Sequence, residues 1–291
     1  MKLVTTIAQL RQELKALGRK DKTLGLVPTM GYLHEGHQSL IRKAKEQNDL
    51  VVVSDFVNPT QFGPNEDYDK YPRDIDRDCK AAEEAGADIV FHPDASEIYV
   101  PGASTEVEVK GETTHKLCGA SRPIHFKGVT TIVCTLFHIV QPDRAYFGQK
   151  DAQQVVVVKK MVRDLHIPVK IVPCPIVREA DGLAKSSRNI YLTPEQHQQA
   201  LSLSRGLQKA RDFFAGSTAD HTSAEKLKKV IRQEISAQPL SDIEYVEVVD
   251  TDTLDKIEKI EPGKRALAAV AVRFGSTRLI DNTILGGKEN V

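Results

Sequence analysis

Between Leu24 and Val177, short apolar runs take turns with amphipathic stretches, and this alternation restricts the fold more than any other feature of the chain. Leu24-Gly25-Leu26-Val27 reads as a buried strand, and Gly36 to Asn48 as a helix with Leu40, Ile41 and Ala44 inward. Leu50 to Val57 is the next strand, Ile75 to Ala85 a helix closed by Gly86, and Ile89 to Phe91 a further strand. A nearly all-apolar helix over Val129 to Val140 follows, then a strand at Ala145 to Phe147, a helix from Ala152 to Leu165 and a strand from Val169 to Val177. Elements in this order predict an α/β fold, a parallel sheet with helices on both faces. Ahead of them, MKLVTTIAQLRQELKAL predicts one amphipathic helix, with Ile7, Leu10, Leu14 and Leu17 on one side and Gly18 as its left-handed stop.

From about residue 193 the pattern changes. Thr193 predicts an N-cap, with Pro194 at the first helical position of a long helix reaching about Phe214. Gly216-Ser217-Thr218 marks a break and Ala224 to Ala237 a second helix. Ile243 to Val249, Ala266 to Phe274 and Thr277 to Asn282 read as strands, the last two joined at Gly275-Ser276. Helices followed by antiparallel strands predict a smaller α+β domain. The boundary falls near Val177, giving domains of residues 1–176 and 177–291.

The 40 Lys and Arg residues balance 40 Asp and Glu residues. A neutral chain with no basic block carries no electrostatic footprint for nucleic acid, so a small-molecule partner is expected. No run of about 18 apolar residues occurs, and no membrane span is expected. Arg11, Glu13 and Lys15 interrupt any apolar signal-peptide segment. Cys79, Cys118, Cys134 and Cys174 form no CxxC and are expected as buried free thiols in a reducing compartment, which points to the cytoplasm.

Ligands of open parallel sheets bind beyond the carboxyl ends of the strands. Polar clusters fall after Val27, Val57, Phe147 and Val177. The first holds His34-Glu35-Gly36-His37 at a strand-to-helix turn. Both imidazoles can point at a phosphate chain resting on the helix N-terminal amides, and Gly36 permits close approach. A pair of surface histidines accounts for the same residues. A zinc site would need a third ligand, and the spacing is not the i, i+4 of HExxH.

Lys185-Ser186-Ser187-Arg188, followed by Asn189, offers two hydroxyls and two cations that can wrap a triphosphate; alone it also reads as a polar surface loop. Gly182 beside it suggests a mobile segment. In Gly148-Gln149-Lys150-Asp151, Lys150 suits phosphate oxygens, while Asp151 either caps the next helix or orients a ribose hydroxyl. Asn58 and Gln61 supply amides that bind hydroxyl and carboxylate groups without adding charge, and Gln154 lies one helical turn beyond Lys150. Arg122 to Gly128 reads as a loop of donors. His92, His115, His138, His166, His197 and His221 stand outside these clusters and are assigned structural or solvated positions.

Together, PTMGYLHEGH (28–37), FVNPTQF (56–62), SRPIHFKGV (121–129), FGQKD (147–151) with Gln154, and VREADGLAKSSRN (177–189) resemble the pantoate–β-alanine ligase family over essentially the whole chain. HxGH alone is shared with the wider nucleotidyltransferase superfamily. The resemblance implies a Rossmann-like first domain, a smaller lid domain and a homodimer. It implies an ATP-dependent, AMP-forming condensation of pantoate with β-alanine through a pantoyl adenylate, with release of pyrophosphate.

By the same resemblance, Met30, Gly31, Tyr32, Leu33, His34, Glu35, Gly36 and His37 contact ATP, as do Gly148, Gln149, Lys150, Asp151, Val177, Lys185, Ser186, Ser187 and Arg188. Gln61 and Gln154 hold pantoate, and Gln61 also meets β-alanine. His37 is the proton donor, and His34, Lys150 and Arg188 join it in the catalytic set with Mg²⁺. Asp76 and Asp78 are candidate metal ligands only. Ile124 and Lys127 stand where the family often has Gly and Arg, and Lys185 where Met or Leu is common. Two other readings are a nucleotidyltransferase moving AMP or CMP to a phosphate-containing acceptor, and a nucleotide-binding regulatory module.

Overall fold

The computed structural model describes residues 1–64, 66–216 and 222–287, which divide into two compact units. One comprises Met1–His115, Gly119–Gln149 and Val157–Pro175; the other Lys116–Cys118, Lys150–Val156 and Ile176–Val291. The first unit carries a six-stranded sheet of β1 (Lys2–Val4), β2 (Leu24–Thr29), β3 (Leu50–Asp55), β4 (Ile89–Phe91), β5 (Arg144–Gly148) and β6 (Lys170–Cys174). The order is β1-β4-β3-β2-β5-β6 and every pairing is parallel. Strands β3 and β4 are buried along their whole length, as the apolar runs Leu50–Val53 and Ile89–Phe91 lead one to expect of strands covered on both faces, and in β3 the burial extends to Ser54 and Asp55.

Along the chain come helices α1 (Ile7–Ala16), α2 (Glu35–Gln47), α3 (Ile75–Glu84), α4 (Ala95–Ile98), α5 (Cys118–Ser121), α6 (His125–Val140) and α7 (Ala152–Asp164). Leu40, Ile41 and Ala44 of α2 pack with Val27, Val51, Val53 and Tyr146, the inward set expected from the 3.6-residue period. Burying a side chain the size of Ile41 contributes about 1.5–3 kcal/mol, so this seam anchors the helix that opens at His34. Asn48 closes the same helix: its amide donates to the Ala44 carbonyl and to Tyr146 Oη, each at 2.7 Å.

Four sequence expectations need correction. Lys2–Val4 is not helical. The Thr6 side chain caps Gln9 N while the Gln9 side chain reaches back, so α1 starts at Ile7 and the residues before it pair with Ile89–Phe91 as an edge strand. The stretch Arg122 to Gly128 is not all loop, because α6 begins at His125. Strand β6 stops at Cys174, so Val177 lies beyond it. The helix predicted from Pro194 to about Phe214 breaks at Leu201 into α8 (Pro194–Ala200) and α9 (Ser202–Ala215).

The second unit holds an antiparallel sheet of β7 (Ser241–Asp250), β8 (Ala266–Phe274) and β9 (Thr277–Leu285), in the order β7-β8-β9. Helices α9 and α10 (Ala224–Ser236) bring Leu203, Leu207, Leu227, Ile231 and Ile235 against Val246, Val270, Val272 and Phe274. The expected cap at Thr193 is present, with Thr193 Oγ1 accepting from Gln196 N at 3.2 Å. Ser217, Thr218 and His221 lie outside the described residues. All four cysteines are free, with Cys118, Cys134 and Cys174 buried and Cys79 half-buried. The α/β class, with a Rossmann-like sheet and a smaller α+β unit, agrees with the alternation and its change near residue 193.

Within the second unit Arg178 forms a two-pronged ion pair with Asp281, at 2.7 and 3.1 Å, and Asp281 is only 2% exposed. Removing the guanidinium strands a buried carboxylate. Arg178→Met is expected to destabilise the protein by about 2–3 kcal/mol, less than for a wholly buried pair because Arg178 is partly exposed. Adding Asp281→Asn is expected to recover part of that loss. Chemical denaturation of both variants checks it, and no recovery in the double variant would contradict the ion-pair account.

Candidate active site

The turn after β2 is shaped by a carboxylate from α3. Asp78 Oδ2 accepts from Tyr32 N and Oδ1 from Leu33 N, both at 2.6 Å. Thr29 Oγ1 accepts from Gly31 N at 3.2 Å and donates to the Ser54 carbonyl. Gly31 has φ +79, and a Cβ there would lie 2.5 Å from Asp55 Oδ1 and 3.1 Å from Asp78 Oδ2. No other residue suits this position. The Arg77 guanidinium covers the Tyr32 ring at 4.0 Å, within cation–π range.

The turn delivers two histidines to the start of α2 in an unusual capping box. His34 Nδ1 accepts from Gly36 N at 3.1 Å, and His37 Nδ1 accepts from His34 N at 3.3 Å. The rings stack with centroids 4.0 Å apart. An imidazole that accepts at Nδ1 from a backbone amide carries no proton on that nitrogen, so the start of α2 orients both rings. A helix N-terminus of this kind suits an anion.

Asp78 is one of two carboxylates beneath the turn. Burial pushes its pKa up to about 6, opposed by the two amide bonds and assisted by the Asp55 charge. Asp55 lies 3.5 Å from His92 Nδ1, and the hydrogen bond to Asp55 raises the His92 pKa. His92 is thus structural, as assigned, but it braces the floor of the turn. Both oxygens of Asp78, named as a candidate metal ligand, are engaged by backbone amides, which gives this carboxylate a role in shaping the turn. Among the described residues, no group of three or more His, Cys, Asp or Glu side chains is arranged to hold a metal ion.

Gln61 sits in a short turn, Pro59–Gln61, after β3. Its Nε2 donates to Met30 Sδ at 3.2 Å, which joins it to the residues of the His34 turn. The Asn58 amide donates to Gln61 Oε1 at 3.1 Å and to the Gly128 carbonyl at 3.2 Å. The start of α6 presses directly on this turn: a Cβ on Gly128 would lie 2.5 Å from Thr60 O and 2.6 Å from Gln61 N. His125 Nδ1 meets the Gln61 carbonyl at 3.1 Å. Arg122 Nε donates to Glu66 at 2.8 Å, and Lys127 Nζ pairs with Glu106 at 2.8 Å. The stretch read as a loop of donors is therefore chiefly support for Gln61.

Gly148 ends β5 of the first unit, and Gln149 and Asp151 flank Lys150 in a 3-10 turn. In the second unit, Lys150 is partly exposed and its carbonyl accepts from Asn282 Nδ2 at 2.9 Å. Gln154 is half-buried in the first turn of α7. Val177 accepts from Lys185 N at 3.0 Å, and an Arg178–Ala184 bridge closes a hairpin turning at Gly182. Lys185 Nζ lies 3.7 Å from Glu179 Oε2, so this lysine pairs within the hairpin. Ser186 Oγ caps the short helix Ser187–Tyr191 by accepting from Arg188 N at 3.3 Å, and Ser187 is buried. The segment is a capped turn, not an irregular loop. Of the histidines set aside, His197 pairs with Asp181 at 2.6 Å.

The strand-end turn and the held amide beside it lie beyond the carboxyl ends of the strands, where ligands of open parallel sheets bind. The family profile described as pantoate-beta-alanine ligase matches residues 2–284, and the chain belongs to that family. A curated pantothenate synthetase of Thermotoga petrophila is 54% identical over 286 residues, covering 98% of this chain and 100% of its own. One from Moorella thermoacetica is 55% identical, with 98% and 99% covered. The crystal structure of pantothenate synthetase from Thermus thermophilus superposes with a TM-score of 0.90 at 45% identity, over 97% of this chain and 99% of that one. The pantoate-beta-alanine ligase of Francisella tularensis, in complex with beta-gamma ATP and beta-alanine, gives 0.78 at 36% identity, with 98% and 97% covered.

The raised pKa of Asp78 has a definite sign. Between about pH 4, where an ordinary aspartate titrates, and about pH 6, the folded chain holds a proton that the unfolded chain has lost. Stability from this group therefore falls as pH rises through that window, the reverse of an ion-paired carboxylate. Asp78→Asn is expected to remove this contribution. Thermal unfolding from pH 4 to 7 measures it, and an unaltered pH slope in the variant would contradict the assignment.

Proposed function

We propose that the chain condenses pantoate with β-alanine at the expense of ATP, in two steps. Pantoate's carboxylate attacks the α-phosphorus, forming a pantoyl adenylate and releasing pyrophosphate. The amine of β-alanine then attacks the activated carbonyl carbon, and AMP leaves with the bridging oxygen. The observation that carries this reading is the paired histidine cap: backbone amides at the start of α2 hold both imidazoles side by side at a helix N-terminus, a place that favours an anion.

Step one brings an anion to an anion, so it needs aimed donors and positive charge more than covalent help. On this reading His37 donates to the phosphate oxygens with His34 beside it, and Lys150 and Arg188 neutralise charge as pyrophosphate departs. Met30 to His37, Gly148 to Asp151, Val177 and Lys185 to Ser187 complete the ATP contacts. Gln61 and Gln154 orient pantoate, and holding carboxylate and phosphorus in line is worth several kcal/mol. Residues 1–176 are the nucleotide and pantoate domain, and 177–291 the lid.

The donors present among the described residues do not form a metal cage, so Mg²⁺ would arrive on the triphosphate oxygens. The family resemblance supports a homodimer and a cytoplasmic location. No helix of the described residues is long and apolar enough to cross a membrane.

Two measurements test the reading. Supplied with ATP, Mg²⁺ and pantoate, the protein is expected to release AMP only when β-alanine is added; pyrophosphate release indifferent to pantoate would sink the proposal. His37→Ala is expected to slow adenylate formation by roughly 10²–10³, the usual cost of losing one such donor. A folded His37→Ala protein with near-normal adenylate formation would remove His37 from that role.

A further inference from the structure

We infer that Tyr99, a residue outside every motif of the sequence, is a positioning residue for the acid substrate. Its hydroxyl donates to the Asn58 amide oxygen and helps hold that amide in place, and Asn58 in turn fixes which end of the Gln61 side chain faces an incoming oxygen. The inference rests on the proposed reading of Gln61 as a pantoate contact.

Hydrogen-bond bookkeeping leaves one arrangement. The Gly128 carbonyl can only accept, so the Asn58 atom 3.2 Å from it is the Nδ2 donor. Asn58 Oδ1 then points the other way, where it accepts from Tyr99 Oη at 2.6 Å, from Thr60 Oγ1 at 3.0 Å and from Thr60 N at 3.4 Å, the Tyr99 bond being the shortest. The second Nδ2 hydrogen is directed at Gln61, so the Gln61 atom 3.1 Å away is the acceptor Oε1. Gln61 Nε2 is thereby turned toward Met30 Sδ, a weak acceptor that a hydroxyl or carboxylate oxygen would readily outcompete.

Asn58 is 1% exposed and Gln61 8%, so neither amide has bulk water to restore a lost partner. Tyr99 follows α4 and tilts against the Phe56 ring at 6.4 Å, and its hydroxyl lies against both Asn58 Oδ1 and Thr60 Oγ1. The outcome is chemical specificity. Gln61 is held as a donor to oxygen, and a substrate ammonium would meet the wrong end of the amide.

Tyr99→Phe keeps the ring and removes only the hydroxyl. Pantoate binding, followed as Kd by calorimetry and as KM in turnover, is expected to weaken roughly three- to tenfold, the range for one neutral hydrogen bond. ATP binding should shift by less than about twofold, since the hydroxyl acts only through Asn58 and Gln61. In a Gln61→Ala background the same substitution is expected to change nothing further, because its route to the substrate is gone. Equal weakening of pantoate and ATP, an unchanged pantoate Kd, or a full additional loss in the Gln61→Ala background would each overturn the inference. If Gln61→Ala alone leaves pantoate binding intact, it is the reading of Gln61 that fails, and the two failures are told apart.

Discussion

The carboxylate of Asp78, with one oxygen on each of two successive backbone amides, is the contact on which the candidate site depends. A strand that ends at Thr29 must reverse into a helix that begins at Glu35, and the residues between them would otherwise leave inward amides without partners. Asp78 satisfies those at Tyr32 and Leu33 and so sets the left-handed backbone at Gly31 and Tyr32, φ +79 and +51. That path brings His34 to the cap position, where backbone amides hold Nδ1 of both histidines. A helix remote in the chain thus determines how two imidazole rings are oriented. Unsatisfied buried amides cost enough for one carboxylate to hold the whole turn in shape.

The supporting layer shows a second constraint of the same kind, made by packing. Gly128 lets α6 approach the Pro59–Gln61 turn until backbone meets backbone, and no side chain could stand between them. Asn58 bridges that contact, Tyr99 holds Asn58, and Gln61 is left with a single orientation. On the proposed reading of Gln61, neutral amides suit a small hydroxy acid because they bind it without surrounding the reacting carboxylate with competing cations. In the second unit a hairpin stapled by Arg178 and Asp281 carries Lys185 to Arg188 on a capped turn.

How far the sequence discloses all this follows from the range of the interactions. The alternation of strands and helices, the inward face of α2 and the cap at Thr193 are local patterns of period two, period 3.6 or a four-residue box, and each is legible. Lys2–Val4 is misread because three residues cannot display a period, and its partner strand, Ile89–Phe91, lies far along the chain. The break at Leu201 leaves the apolar spacing of α8 and α9 nearly intact and so gives no signal. For the site, the two histidines and Gln61 stand out by residue type and position after strands. Tyr99 and Asp281 do not, and Asp78 and Gly128 stand out only in other guises, as a candidate metal ligand and within a stretch of donors, since each acts through a partner remote in the chain. An aspartate in the first turn of a helix ordinarily answers to the helix dipole. Only its two bonds to a distant turn reveal the other role.

The proposed chemistry turns on a carboxylate attacking the α-phosphorus of ATP beside that turn. The most direct test is to supply pantoate with ¹⁸O in both carboxylate oxygens, together with ATP, Mg²⁺ and β-alanine, and to weigh the AMP produced. One labelled oxygen is expected in the AMP phosphate and one in the new amide, because the acyl–oxygen bond breaks when the amine attacks. AMP without label, or label carried into inorganic phosphate, would contradict adenylate formation and with it the chemistry assigned to the site.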